Sequence, residues 1–96
     1  MGPPPSINGA KVICWTPIDT RHQFTGRCRQ VIGGVVQGPM AGLAICRYEG
    51  EDCFYLFGCD AAWNCVTDTW HATLDEALAQ AEFEDAGASQ TWQTAS

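Results

Sequence analysis

The chain predicts an α+β domain: an antiparallel β-meander of four to five strands with one C-terminal helix packed on the sheet. Between residues 11 and 70, short β-branched and aromatic runs alternate with clusters of Gly, Pro, Asp and Asn. From Thr73 onward, one stretch carries a helix-start signature followed by apolar residues at helical spacing. Ninety-six residues suffice for a single modest core. Residues 10–87 are expected to form that one domain, residues 1–9 a disordered N-terminal tail and residues 88–96 a C-terminal tail.

The run from Lys11 to Trp15 is β-branched and aromatic and stops where Pro17 disfavours further pairing, which marks a first strand. Residues 17–26 have loop composition. From Arg27 to Ile32, Arg27, Arg29 and Val31 alternate with Cys28, Gln30 and Ile32, the pattern of a half-solvated strand with one basic face. Gly33 and Gly34 make a turn, Val35 and Val36 a short strand, and the Gly and Pro density up to Gly42 a connection. Leu43–Tyr48 and Cys53–Phe57 are the strongest strand signals, and the polar Glu49–Asp52 segment between them predicts a hairpin. The second run is apolar on both faces, so it is expected to be central and covered on each side. Asp60 to Asn64 is a turn, and Cys65 to Trp70 the last strand of the meander.

Thr73, Leu74, Asp75 and Glu76 form a capping box, and Leu74, Ala77, Leu78 and Ala81 follow as a core stripe. Gly87 then ends a helix expected over Thr73–Asp85. Phe83 and Ala79 fall on the outer face, and Glu82, Glu84 and Asp85 put three negatives in the last turn, where the helix dipole disfavours them.

Charge is distributed as unevenly as the elements. All five Lys and Arg lie in residues 1–48 with the single acid Asp19, whereas residues 49–96 hold ten acids and no Lys or Arg. The resulting acidic surface must face water, the chain's own basic half or a cationic partner. At 46% hydrophobic and 17% charged the chain is too apolar to be disordered, and it has no run long enough to span a membrane. Its start has neither the basic nor the apolar region of a secretory signal, which points to the cytoplasm. In a reducing compartment, six cysteines set mostly in apolar runs are expected as buried free thiols in preference to disulfides or metal ligands.

Catalytic, metal and anion sites have weak support. Cys59, His71 and Asp68 could in principle supply a thiolate, a base and an orienting carboxylate, but no local signature accompanies them. Cys53, Cys59, Cys65 and His71 recur every six residues without the close ligand pair of a zinc knuckle, so no metal and no cofactor is expected. The glycines at 33, 34, 38 and 42 lack the Lys and Ser/Thr of a phosphate loop. A surface of Lys11, Arg21, His22, Arg27 and Arg29 with Trp15 and Phe24 interleaved would suit nucleic acid, yet a pI near 4.5 argues against that partner. Carboxylates beside Tyr55, Phe57, Trp63, Trp70 or Phe83 would instead combine cation–π faces with countercharge.

The segment Phe54–Asn64 with its Gly58, Cys59, Asp60 and Trp63, then Asp68–His71, then Glu76, Ala77 and Gln80–Glu84, resembles a family of short uncharacterised bacterial proteins. The similarity extends back through Gly38–Gly50. It implies a bacterial cytosolic origin, in a mobile gene cassette on one reading, and no activity for any residue. Where that pattern has an aromatic after Glu84, this chain has Asp85 and Ala86. Thr73–Ala77 is also similar to the helix start of antitoxins of the HicB kind, which implies a short sheet leading into a Thr-capped helix.

Together these features predict a non-enzymatic interaction protein whose acidic helix and aromatic strands form the recognition surface, with Tyr55, Phe57, Trp63, Trp70, Phe83, Glu82, Glu84 and Asp85 as its residues. A binding domain for a cationic aromatic small molecule, with a cleft among Tyr55, Trp63 and Trp70, is the alternative, and a Cys–His enzyme a third. A homodimer is expected, with Phe83, Ala79, Trp92 or the outer faces of Phe54 and Leu56 in its contact.

Overall fold

A computed structural model describes residues 2–19, 23–24, 31–32, 35–36 and 40–95. The expected strand over Arg27–Ile32 and its basic face lie largely outside the described residues, as do Arg21, His22 and Cys28. In chain order the elements are β1 (Ser6–Ile7), β2 (Ala10–Pro17), β3 (Gln23–Phe24), β4 (Val31–Ile32), β5 (Val35–Val36), β6 (Gly42–Arg47), β7 (Phe54–Cys59), β8 (Cys65–His71), α1 (Leu74–Glu84), β9 (Asp85–Ala86), a 3₁₀ turn (Ala88–Gln90) and β10 (Gln93–Thr94). The main sheet runs β1-β2-β6-β7-β8, every pairing antiparallel, with α1 packed on it. This is the α+β meander-plus-helix fold that the strand and helix signals predict. β4 pairs with β5, and β3 with β9, in two small separate sheets.

Both ends of the chain belong to the sheet. β1 pairs with the start of β2 through Ser6–Lys11 and Ile7–Ala10, and β10 pairs with its later part through Gln93–Trp15 and Thr94–Cys14. The two termini thus share one outer edge of β2, with Val12 N–H donating to the Pro5 carbonyl and Ala95 N–H to that of Ile13. Residues 6–9 are therefore a hairpin arm, not a frayed tail, and Ile7 is buried. A turn at Asn8 and Gly9, both at positive φ, reverses the chain there. The 88–95 segment likewise docks, with Trp92 packed against the helix-side core. Covering an edge in this way removes a row of unpaired backbone groups.

Each face of the sheet buries its own apolar cluster. Leu43, Ile45 and Leu56 face the helix and meet Ala77 and Ala81, with Leu74, Leu78, Cys14 and Phe54 around them. The two buried alanines bring helix and sheet close, and the expected stripe of Leu74, Ala77, Leu78 and Ala81 is the packed one. On the opposite face Val12, Ala44, Cys46, Phe57 and Cys59 pack with Ile7 and Ala10, ringed by Trp15, Tyr48, Tyr55 and Trp63. Register shifts between Val12 and Cys14 and between Gly58 and Cys59 mark irregularities of the bulge type, which bend and twist a strand. The face of β7 opposite the helix is thus covered largely by the chain's own N-terminal arm and aromatic side chains. Leu56, 3% exposed, points into the helix-side core, which removes it from the expected subunit contact, while Phe54 packs against that core and stays half-buried. Side-chain alternation with period two explains the difference: pairing Ile45 with Leu56 fixes both toward the helix, and pairing Ala44 with Phe57 fixes both away.

The helix begins as its sequence dictates. Thr73 Oγ1 accepts the Glu76 N–H at 3.1 Å, and Glu76 Oε1 accepts the N–H of Ala72 at 3.3 Å, one residue earlier than an ideal box. At the far end the Asp85 N–H closes onto the Ala81 carbonyl, and Gly87 at φ +101° turns the chain into the 3₁₀ segment.

Candidate functional site

The structure separates the residues of the conceivable Cys–His site. β7 and β8 pair with Cys59 opposite Cys65 and Phe54 opposite His71. Cys59 and His71 therefore sit at opposite ends of the ladder, six residues apart along β8, about 20 Å at 3.3 Å per residue. Cys59 is fully buried and its thiol donates to the Phe57 carbonyl at 3.8 Å; burial pushes it up to about 12, with the neighbouring Cys65 and Asp60 adding to the rise. His71 Nε2 shares a 2.7 Å hydrogen bond with Thr69 Oγ1. Partial burial holds this imidazole below its ordinary range, against the opposite pull of Glu76 and Glu84. Native Cys59 is accordingly expected to react with iodoacetamide at pH 7 at least about 100-fold more slowly than a free thiol. Mass mapping of alkylation checks this, and a rate equal to or above the free-thiol value would restore a reactive cysteine.

Five described cysteines are free thiols, and no group of three His, Cys, Asp or Glu that could hold a metal occurs among the described residues. Cys46 is driven up to about 12 and Cys14 to about 11, in both cases chiefly by burial. These thiols act as small apolar core groups.

The acidic end of the helix is used largely within the molecule. Glu82 accepts the N–H groups of Gly87 and Ser89, each at 2.9 Å, and so caps the 3₁₀ turn. A negative charge unfavourable for its own helix thereby meets the amide end of the next one. Glu84 Oε2 accepts from Gln80 Nε2 at 2.8 Å. Asp85 is 2% exposed and its backbone pairs with Phe24, so its side chain is not part of an exterior surface, in contrast to the recognition role expected for it. The sequence does not reveal this, because Glu82, Glu84 and Asp85 look alike until the path of residues 86–90 is known. Phe83 remains 44% exposed on the outer side of the helix.

The aromatic candidates lie on the other side of the sheet. Tyr55 stands directly across from Trp70, and Phe57 across from Asp68, so all four belong to the face turned away from the helix. Phe57 is core, at 1% exposure, whereas Trp70 is 60% exposed and Asp68 exposed beside it. Tyr48 meets Tyr55 edge-on with centroids 5.2 Å apart, and Tyr55 lies tilted on Phe57 at 6.2 Å. Burial, then the Glu51 carboxylate and Cys53, push the Tyr55 phenol above its usual value, which places Glu51 within electrostatic reach of that ring.

Trp63 is at the other end of the same face. It sits over Gly42 and contacts Trp15 edge-to-face at 5.7 Å. The expected three-sided cleft of Tyr55, Trp63 and Trp70 is therefore not formed as one pocket. Asp60 holds the turn that presents Trp63, accepting the N–H groups of Ala62 and Asn64 at 2.9 Å, bonds that keep its carboxyl below the usual range. The predicted recognition surface thus divides into a helix end on one side of the sheet and an aromatic strand pair on the other. Comparison of the chain with family models, with curated proteins and with solved structures finds no match in any of the three.

Proposed function

We propose that the protein is a non-enzymatic interaction module of the cytoplasm that engages a cationic protein segment through Trp70, Tyr55 and Asp68. The observation that carries this reading is a 60%-exposed tryptophan directly across from Tyr55 and two residues from an exposed carboxylate, on the sheet face away from the helix. An aromatic face with a neighbouring negative charge attracts Lys or Arg by cation–π and Coulomb terms together. The free thiols suit a reducing compartment, and no helix among the described residues is long and apolar enough to cross a membrane.

β8 is also the last strand of its sheet among the described residues, and strand addition there would bring a partner next to Trp70. A second copy added about a two-fold axis at Asp68 would oppose two carboxylates, which is destabilising. A partner strand with a cationic residue at that position is favoured over the homodimer that the sequence suggests. A hexa-arginine peptide tests the reading, with tryptophan emission as readout. Saturable binding is expected, weakened about 30-fold in Trp70→Ala, the loss typical of an interface anchor, and weakened further at physiological salt. Binding that Trp70→Ala leaves unchanged would overturn it.

A further inference from the structure

We infer a second binding site, for an amphipathic carboxylate, in the groove between the N-terminal arm and the β6–β7 turn. The groove encloses about 640 Å³, within the ~300–1,000 Å³ range of small-ligand sites. Pro5, Tyr48 and Ala95 supply apolar lining; Lys11, Arg47 and Glu49 supply charge. Lys11 and Arg47 are direct cross-strand partners on β2 and β6. They are also the only Lys or Arg among the described residues of an acidic protein. Like charges directly opposite one another on antiparallel strands repel, so their juxtaposition is unfavourable unless an anion lies between or over them.

The internal countercharge is limited and one-sided. Arg47 donates through Nε to the Glu51 carbonyl and reaches Asp52 at 3.4 Å, a solvent-exposed pair of little strength. Lys11 makes no ion pair among the described residues. Glu49, on the turn side, would repel an anion placed there, so a bound carboxylate belongs toward Lys11 with its apolar body over Pro5 and Ala95. Gly9 and Gly50 also line the groove, and a Cβ at either would meet no heavy atom within 4 Å apart from the glycine and its chain neighbours. The site shares no residue with the Trp70, Tyr55 and Asp68 surface and does not depend on it.

The test is a titration of the ¹⁵N-labelled chain with decanoate below its micelle concentration, decanol serving as the neutral control. Saturable shifts are expected at Gly9, Lys11, Tyr48, Gly50 and Ala95, at least about tenfold weaker in affinity for Lys11→Gln and Arg47→Gln, with no saturation by decanol. Both side chains are on exposed residues, so an otherwise superimposable spectrum reports an intact fold; Lys11→Gln alone decides the matter if Arg47→Gln disturbs the turn. Equal response to decanol, undiminished binding by Lys11→Gln, shifts confined to other residues, or no saturable binding would each overturn the proposal. Shifts produced only by phosphatidylglycerol vesicles would do so too, by assigning the groove to a membrane surface.

Discussion

Replacing Phe57 by Ala is expected to destabilise the protein by about 3–5 kcal/mol, the usual cost of removing a buried aromatic ring. Phe57 is 1% exposed and heads the fully buried side chains by volume. It is at the centre of the sheet face away from the helix, opposite Ala44 on one side and Asp68 on the other. Ala44 is too small to collapse into the space, and Val12 and Ile7 are held by strand pairing, so a cavity would persist. For a chain of this length each kcal/mol corresponds to about 4–8 °C in Tm, and total stability is typically about 5–15 kcal/mol. Urea denaturation with an unchanged slope would give the difference directly. A loss under about 1.5 kcal/mol would mean that the face away from the helix is not a packed core in the isolated chain.

Gly42→Val is the second substitution with a large expected effect. A Cβ at Gly42 would lie 2.5 Å from Cη2 and 2.7 Å from Cζ3 of Trp63, well inside contact distance. The indole cannot simply slide away, since Trp63 is held at φ +64° by the Asp60 turn and its ring meets Trp15. Forcing extra volume into such a contact costs roughly 1–3 kcal/mol. The ring is expected to leave its seat, shifting tryptophan emission to the red as stability falls. Unchanged emission together with unchanged stability would show that Trp63 does not pack on Gly42 in solution.

How far the sequence could be read depended on whether the signal was local. The capping box at Thr73 and the stripe of Leu74, Ala77, Leu78 and Ala81 operate within one or two helical turns, and both are as expected. The hairpin through Glu49–Asp52 and the Asp60 turn also use near neighbours. Phe54 and Leu56 against Tyr55 and Phe57 were different: alternation shows that they face opposite ways, but only a partner layer decides which pair meets the helix. Glu82 is the clearest instance. Its carboxylate is unfavourable at a helix C-terminus taken alone and favourable once Gly87 at φ +101° brings the next amides to it. The Cys59, Asp68 and His71 set illustrates the converse, since Cys59 and His71, on neighbouring strands of one hairpin, stand at opposite ends of the ladder in space.

The amino-acid order by itself determined the class of fold, the helix and its cap, the order of the strongest strands and the uneven charge, because each rests on short-range sterics, hydrogen bonding or composition. Tertiary structure alone decided that both termini cover β2, that Lys11 and Arg47 stand side by side, and that Trp70 and Tyr55 are separated from the acidic helix end by the thickness of the sheet. Those outcomes depend on strand register and on which face each layer covers, and register is a property of paired segments, not of either segment alone.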